Sequence, residues 1–256
     1  PKDFHELQRR KKSRIKNSVS KVLMNFKLDS NKPIATRKCS QMILEKIGDY
    51  VPELIGGSAD LKDSNLAYWS KSLPFNAKSY SGKYLHYGVR EFGMSAISNG
   101  ISLYGGFRPY ASTFLIFSEY AKNAIRMSSI MHQPVIYIFT HDSIGLGEDG
   151  PTHQAIEQMN SLRLVPKMSL WRPADLIETA VSWKMMLEKK DGPSSIVLSR
   201  QSLPQLSRTR QQQKDITRGG YIIYEPKIKF NGIIISTGSE LHLCVEAAKK
   251  LEKNKI

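Results

Sequence analysis

Residues 135–140, VIYIFT, restrict the fold more than any other stretch of the chain. All six are β-branched or aromatic, and the run is apolar on both faces. A strand with one wet face alternates apolar and polar side chains. A run apolar on both sides belongs at the centre of a parallel sheet covered twice. The surrounding pattern agrees. Thr36 is placed as the cap of a helix to about Ile47, ended by Gly48, and ELIGG (53–57) reads as a short strand before a Ser/Asp-rich loop. Tyr84–Tyr87 is a further strand candidate. Glu91–Leu103 has helical spacing, with Phe92, Ala96, Ile97, Gly100 and Ile101 as its stripe, and the double glycine at 105–106 stops it. Phe107–Tyr110 reads as a strand and Thr113–His132 as one long helix. After VIYIFT come a glycine-rich loop, a helix from about Thr152, a strand at Met168–Trp171, a helix opened by Pro173 and a strand at Ser195–Ser199. This alternation implies an α/β fold, a doubly wound parallel sheet with right-handed crossovers.

Residues 201–219 are polar, with three glutamines at 211–213, and read as a surface linker. Beyond them Tyr221–Tyr224 and Gly232–Thr237 are strand candidates and Glu240–Lys253 a helix. They would begin a second α/β unit, too short to bury both faces of a sheet. The expected organisation is a basic helical linker over 1–33, a main domain over 34–200, a linker over 201–219 and a truncated unit over 220–256. The chain opens on Pro1 and closes within a helical pattern, and so reads as a piece of a longer protein.

The net charge of +15 would suggest a nucleic-acid partner if it were spread over the fold. It is not. Residues 1–38 hold 12 Lys/Arg against 3 acids, which leaves +6 for the other 218 residues, ordinary for a protein that handles anionic metabolites. The basic cluster Arg9, Arg10, Lys11, Lys12, Arg14 and Lys16 has no interleaved aromatics, so a solvated face is expected there and no nucleic-acid partner. No apolar run approaches the ~20 residues that cross a bilayer, which excludes a membrane-spanning helix. The only cysteines, Cys39 and Cys244, are far apart, and the first residues have no signal-peptide core, so a reducing, cytoplasmic location is expected.

Ligands of open parallel sheets bind at the carboxyl ends of the strands. The segment after VIYIFT is HDSIGLGEDGPTHQ, residues 141–154. Its Gly145-x-Gly147-x-x-Gly150 is formally a dinucleotide fingerprint. Glu148 and Asp149 would face the pyrophosphate, however, and Pro151 falls where the packing helix should already run. The better reading is a flexible backbone that brings His141, Asp149 and His153 into one cavity. His141, Asp142, Asp149 and His153 lack metal-ligand spacing, so no metal held by this chain alone is expected. No G-x-S-x-G elbow is present for a hydrolase. Glu91 opens a largely apolar helix; burial there would suit its carboxyl to hydrogen-bond a ring nitrogen. Phe114, Phe117 and Tyr120 have i, i+3, i+6 spacing, either core packing or a flat pocket for a ring.

The strings GGSADL (56–61), HYGVREFGM (86–94), NGISLYGGFRPY (99–110), STFLIFSEYAKN (112–123), THDSIGLGEDGPTHQ (140–154), WRPAD (171–175) and LSRQ (198–201) resemble the transketolase family in order and spacing. The resemblance covers residues 34–256: the middle, pyrimidine-binding domain of that family and the start of its C-terminal domain. It implies thiamine diphosphate as cofactor, held between two subunits, with Mg2+ or another divalent cation on an N-terminal domain absent from this sequence. Glu91 would contact the pyrimidine ring nitrogen and favour the imino tautomer, whose exocyclic nitrogen takes the thiazolium proton. Phe114 would stack on the pyrimidine, with Phe117 and Tyr120 completing the pocket and Asp60 nearby at the dimer interface. Arg37, Ser64, His141 and Arg200 would hold the sugar phosphate. Asp149 would accept from a sugar hydroxyl, and His153 would contact the transferred ketol unit.

The implied activity is transfer of a two-carbon ketol unit from xylulose 5-phosphate to ribose 5-phosphate or erythrose 4-phosphate, in the pentose phosphate pathway. The partner would be a second copy in the complete enzyme, or a complementary N-terminal half-chain. Without that half the chain is expected to be inactive. Dihydroxyacetone synthase and 1-deoxyxylulose 5-phosphate synthase share the cofactor and are the nearest rivals. A non-catalytic assembly or binding subunit is the alternative of another class.

Overall fold

The computed structural model describes residues 5, 17–26, 32–227, 229 and 231–255. Six strands form one all-parallel sheet: β2 (Leu54–Ser58), β3 (Tyr84–His86), β4 (Arg108–Phe114), β5 (Ile136–Thr140), β6 (Ser169–Trp171) and β7 (Ser194–Val197), in the spatial order β3-β2-β4-β5-β7-β6. VIYIFT supplies β5, which pairs with β4 on one side and β7 on the other. Its two faces have separate destinations. Ile136 and Ile138 enter a cluster with Ile43, Leu44, Ile47 and Trp183, from helices Thr36–Ile47 and Leu176–Glu188. Tyr137 and Phe139 point the other way, into Met94, Ala121, Ile125 and Leu162, from helices Glu91–Tyr104, Ser118–Ile130 and Gln158–Arg163. Burying each of these large side chains stabilises the sheet by about 1.5–3 kcal/mol, which makes β5 the axis of the domain. The sheet is doubly wound, as its sequence pattern implies.

Several local expectations change. Thr36 is the first residue of its helix and not the cap; its hydroxyl accepts from the Ser199 N–H at 2.7 Å, and its own N–H donates to Ser199 Oγ at 3.1 Å. Gly48, which follows Ile47, keeps a right-handed helical conformation. Residues 113–114 belong to β4, and the helix expected over Thr113–His132 spans Ser118–Ile130. Pairing of Thr113 and Phe114 with Phe139 and Thr140 of β5 outweighs the helical spacing there. After β5 no helix starts at Thr152; short 3-10 turns at Ile144–Leu146 and Pro151–His153 precede the helix Gln158–Arg163. Asp175 rather than Pro173 caps the next helix, accepting from the Glu178 N–H.

The stripe of Phe92, Ala96, Ile97 and Gly100 faces outward, with Phe92 55% and Ile97 52% exposed. The inward face of that helix is small and polar. Ser128 donates to Asn99 Oδ1 at 2.5 Å, shares a hydrogen bond with the Tyr137 hydroxyl, and Asn99 donates to the Ala124 carbonyl at 2.8 Å. Satisfied small polar groups let the two helices pack closely, which leaves the apolar stripe outside.

The 201–219 stretch is structured. β8 (Ser202–Leu203) pairs antiparallel with β1 (Ile34–Ala35), and Thr209 caps a helix over Arg210–Asp215. Within it, the fully buried Arg208 guanidinium pairs with Asp175 and Glu178. Tyr221–Tyr224 is not a strand, nor is Gly232–Thr237 where it is described. A strand needs a neighbour, and none stands beside them among the described residues. Helix Leu241–Lys253 forms as expected. Of the 1–33 segment, Asn17–Met24 is helical and buries Val19 and Leu23; the Arg9–Lys16 cluster lies outside the described residues. No described helix is long and apolar enough to cross a membrane.

Candidate active site

The carboxyl ends of β2, β4, β5 and β7 open on one edge of the sheet, and the sequence-selected residues gather there. Two of them, Asp60 after β2 and His141 after β5, have φ near +60°. That backbone region costs a non-glycine residue about 1–3 kcal/mol and recurs at functional sites.

His141 is the hub. Its ring lies on Phe114 with centroids 3.6 Å apart, and its Nδ1 is 2.8 Å from Thr140 Oγ1. Its Nε2 is 3.8 Å from Asp149 Oδ2. Burial, and then the positive charge of Arg37 and Arg200, push its pKa down to about 3, so the imidazole is neutral near pH 7.

The two arginines are set by the strand-end interlock between Thr36 and Ser199, their immediate neighbours. Arg37 Nη1 donates to the Ser64 carbonyl at 2.6 Å. Arg200 Nη2 pairs with Glu148 Oε1 at 2.6 Å, across the glycine-rich loop. Gly147, at φ +92°, leaves room for this crossing; a Cβ there would meet Arg200 Nη1 at 2.8 Å. Burial, and then repulsion by Arg200, lower the Arg37 pKa, the condition under which a dianionic ligand is welcome. Ser64 is half-buried in the same turn, so its carbonyl serves Arg37.

Phe114 ends β4, Phe117 precedes the next helix and Tyr120 sits in its first turn. They are not one helical stripe, yet their rings are contiguous: Phe114 and Phe117 are near-parallel at 5.5 Å, and Phe117 and Tyr120 are 6.1 Å apart. His153 meets Phe117 edge-on at 5.3 Å. Tyr120 is 69% exposed, so this aromatic group has a free surface for a flat ring.

Glu91 opens its helix at 7% exposure, and its carboxyl has no hydrogen bond or ion pair with any described residue. Its oxygens are therefore free to accept a donor from a ligand. Among the described residues, no three His, Cys, Asp or Glu are grouped to hold a metal ion.

Reading the sequence missed three participants. Asn65 and Thr140 connect β2 to His141, and Glu148 holds Arg200. The available signals were faint: a polar residue ending an apolar strand, and an acid within the glycine loop.

Residues 32–205 match the family model described as transketolase, pyrimidine binding domain. Transketolase 1 of Aliivibrio fischeri is 57% identical over 218 residues, covering 85% of this chain and 33% of that protein. Transketolase of Buchnera aphidicola subsp. Acyrthosiphon pisum is 53% identical over 233 residues, covering 91% and 35%. The chain thus spans about a third of the length of these relatives. Among solved structures, transketolase from Pichia stipitis in complex with sedoheptulose 7-phosphate superposes with a TM-score of 0.89 at 42% identity, over 100% of this chain and 38% of that one. A split-gene transketolase, solved as an inactive β4 tetramer, gives 0.63 at 27% identity, over 88% and 70%. The match of the family model to most of this chain, on the sheet that gathers Glu91, the aromatic rings and the His141 cluster, makes the chain a member of the transketolase family.

Proposed function

We propose that this chain is the pyrimidine- and sugar-phosphate-binding portion of a transketolase. The complete enzyme would transfer a two-carbon ketol unit from a ketose phosphate such as xylulose 5-phosphate to ribose 5-phosphate or erythrose 4-phosphate, in the cytoplasmic pentose phosphate pathway. The observation that carries this reading is a Glu91 carboxyl with no partner among the described residues, at the same edge of the sheet as an aromatic group whose Tyr120 is exposed.

Those features fit the aminopyrimidine of thiamine diphosphate. When bound, that cofactor supplies an electron sink for the carbon exposed as a ketose bond is cleaved. Glu91 shares a proton with the pyrimidine ring nitrogen. Phe114, Phe117 and Tyr120 wall the ring and keep water from it, with Asp60 at the rim. Arg37 and Arg200 grip the substrate phosphate, with Ser64 and His141 beside them; Asp149 accepts from a sugar hydroxyl. His153 contacts the ketol hydroxyls and can move a proton there. The ligands of a divalent cation lie, in this reading, outside the described residues.

The outward stripe of Phe92 and Ile97 begins beside Glu91 and supports a homodimer in the complete enzyme, by a self-complementary patch. With only the pyrimidine and sugar side of the site, the 256-residue chain by itself has negligible turnover. The split-gene relative, inactive as a tetramer of one subunit type, is consistent with this.

A substrate panel tests the assignment, run on this chain mixed with a transketolase N-terminal half. Transfer from xylulose 5-phosphate to aldose phosphates supports it. Preference for formaldehyde, or for pyruvate with glyceraldehyde 3-phosphate, reassigns the chain to a related enzyme.

A further inference from the structure

We propose that Arg172 is a positioning residue for His141, and that the turn Gly238–Glu240, acting through Arg172, fixes the backbone on which His141 stands. The consequence for turnover rests on the reading of His141 as a phosphate-binding group; the clamp itself belongs to the free chain.

His141 follows β5 at φ 60°. A residue with a Cβ keeps such a conformation only where its surroundings enforce it. On the strand side, Thr140 pairs with Phe114, and its Oγ1 lies 2.8 Å from His141 Nδ1. On the other side stands the buried Asp142. Arg172, the residue after β6, donates from Nε to Asp142 Oδ2 at 2.9 Å, and its Nη2 is 2.7 Å from the same oxygen. In the sheet β7 separates β5 from β6, so this ion pair reaches past a strand. Burial pushes the Asp142 pKa up, and the facing guanidinium works against that rise.

The far side of the guanidinium is held by the segment before the last helix. Nη1 donates to the Thr237 carbonyl at 3.0 Å, Nη2 donates to Ser239 Oγ at 2.8 Å, and both pair with Glu240. Gly238, at φ +60°, permits the approach; a Cβ there would meet Arg172 Cγ and Nε at 2.7 Å. A cation held by charge alone could satisfy Asp142 in many geometries. A planar fork with partners on opposite sides has one. What the clamp secures is the stack of His141 on Phe114, with centroids 3.6 Å apart.

The carbon-bound ring protons of His141, read by NMR of the full chain and assigned with His141→Gln, report that stack. Shielded by Phe114, they should lie upfield of those of the exposed His132. Arg172→Gln should move them toward the His132 positions, and so should Gly238→Ala, whose methyl would push the guanidinium aside. Should Arg172→Gln fail to fold because Asp142 is left unpaired, Arg172→Gln combined with Asp142→Asn removes the charge and the clamp together. In the enzyme completed by an N-terminal half, the same variants should raise KM for xylulose 5-phosphate by about tenfold and leave kcat within about threefold, since a phosphate contact counts equally in ground and transition states. A folded Arg172 variant whose His141 protons stay shielded overturns the proposal. Shielding lost in the Arg172 variant but kept in Gly238→Ala overturns the part of the Gly238–Glu240 turn. Displaced His141 protons with an unchanged KM would uphold the clamp and remove His141 from phosphate binding.

Discussion

His141 and Phe114 lie nearly face to face, their ring centroids 3.6 Å apart and their planes 24° from parallel. His141 follows Thr140, the last residue of β5, and Phe114 ends the neighbouring strand β4, so the parallel pairing of Phe114 with Thr140 builds the contact. It joins what the sequence presents as separate groups, the histidine of the glycine-rich loop and the aromatic residues before the next helix.

That packing makes stability depend on pH. Burial, with Arg37 and Arg200, lowers the pKa of His141 from 6.5 to about 3. The unfolded chain therefore binds a proton that the folded chain refuses, and folding stability falls as pH drops from 6.5 toward 3. At pH 5 the loss is about 2 kcal/mol. Denaturant unfolding at pH 7 and pH 5 should show it in the wild type and show less of it in His141→Gln. Equal losses in both would contradict the assignment.

Glu91→Gln keeps the shape of the side chain and removes the carboxyl proton that the ring nitrogen would share. In the enzyme completed by an N-terminal half, kcat for ketol transfer should fall by about 10²–10⁴-fold. The unfolding midpoint of the isolated chain should hold, because the Glu91 carboxyl has no partner among the described residues to lose. A kcat within threefold of the wild type removes Glu91 from the chemistry.

Arg37→Leu should raise KM for phosphorylated acceptors by about 10–100-fold, the equivalent of one charge-assisted hydrogen bond of about 1.5–3 kcal/mol. An unphosphorylated aldehyde acceptor should be used as well as before. A parallel rise for both acceptors would mean that Arg37 supports the loop and not the phosphate.

Sheet and site differ in how far the sequence reveals them. β5 was readable because each of its faces meets a separate apolar cluster, which leaves no polar position to confuse the pattern. Thr113–Phe117 reads as helix because apolar residues at helical spacing are equally at home at the end of a central strand; the pairing of Thr113 and Phe114 with β5 decides. Tyr221–Tyr224 has strand composition but no neighbour. The stripe of Phe92 and Ile97 faces outward because Ser128 and Asn99 satisfy one another across the helix pair and Ser98 turns back on the Met94 carbonyl, none of which the spacing reveals. Most of the site residues carry their own motif. Asn65 meets Thr140 from 75 positions away, a relation only folding creates.

Ile97→Asp places a charge on the outward stripe without touching the core. Sedimentation of the completed enzyme should shift from dimer to dissociated species, with the helical content of the chain unchanged. An unaltered dimer would assign the stripe another role.

The central claim is that this chain contributes an intact half of a ketol-transfer site. Its most direct test is transfer from xylulose 5-phosphate to ribose 5-phosphate with thiamine diphosphate and magnesium. The assay compares this chain alone, the chain with a separately expressed transketolase N-terminal half, and the same mixture carrying Glu91→Gln. Activity only in the wild-type mixture is the predicted result. Turnover by the chain alone, or a mixture in which Glu91→Gln is as active as the wild type, would contradict the account.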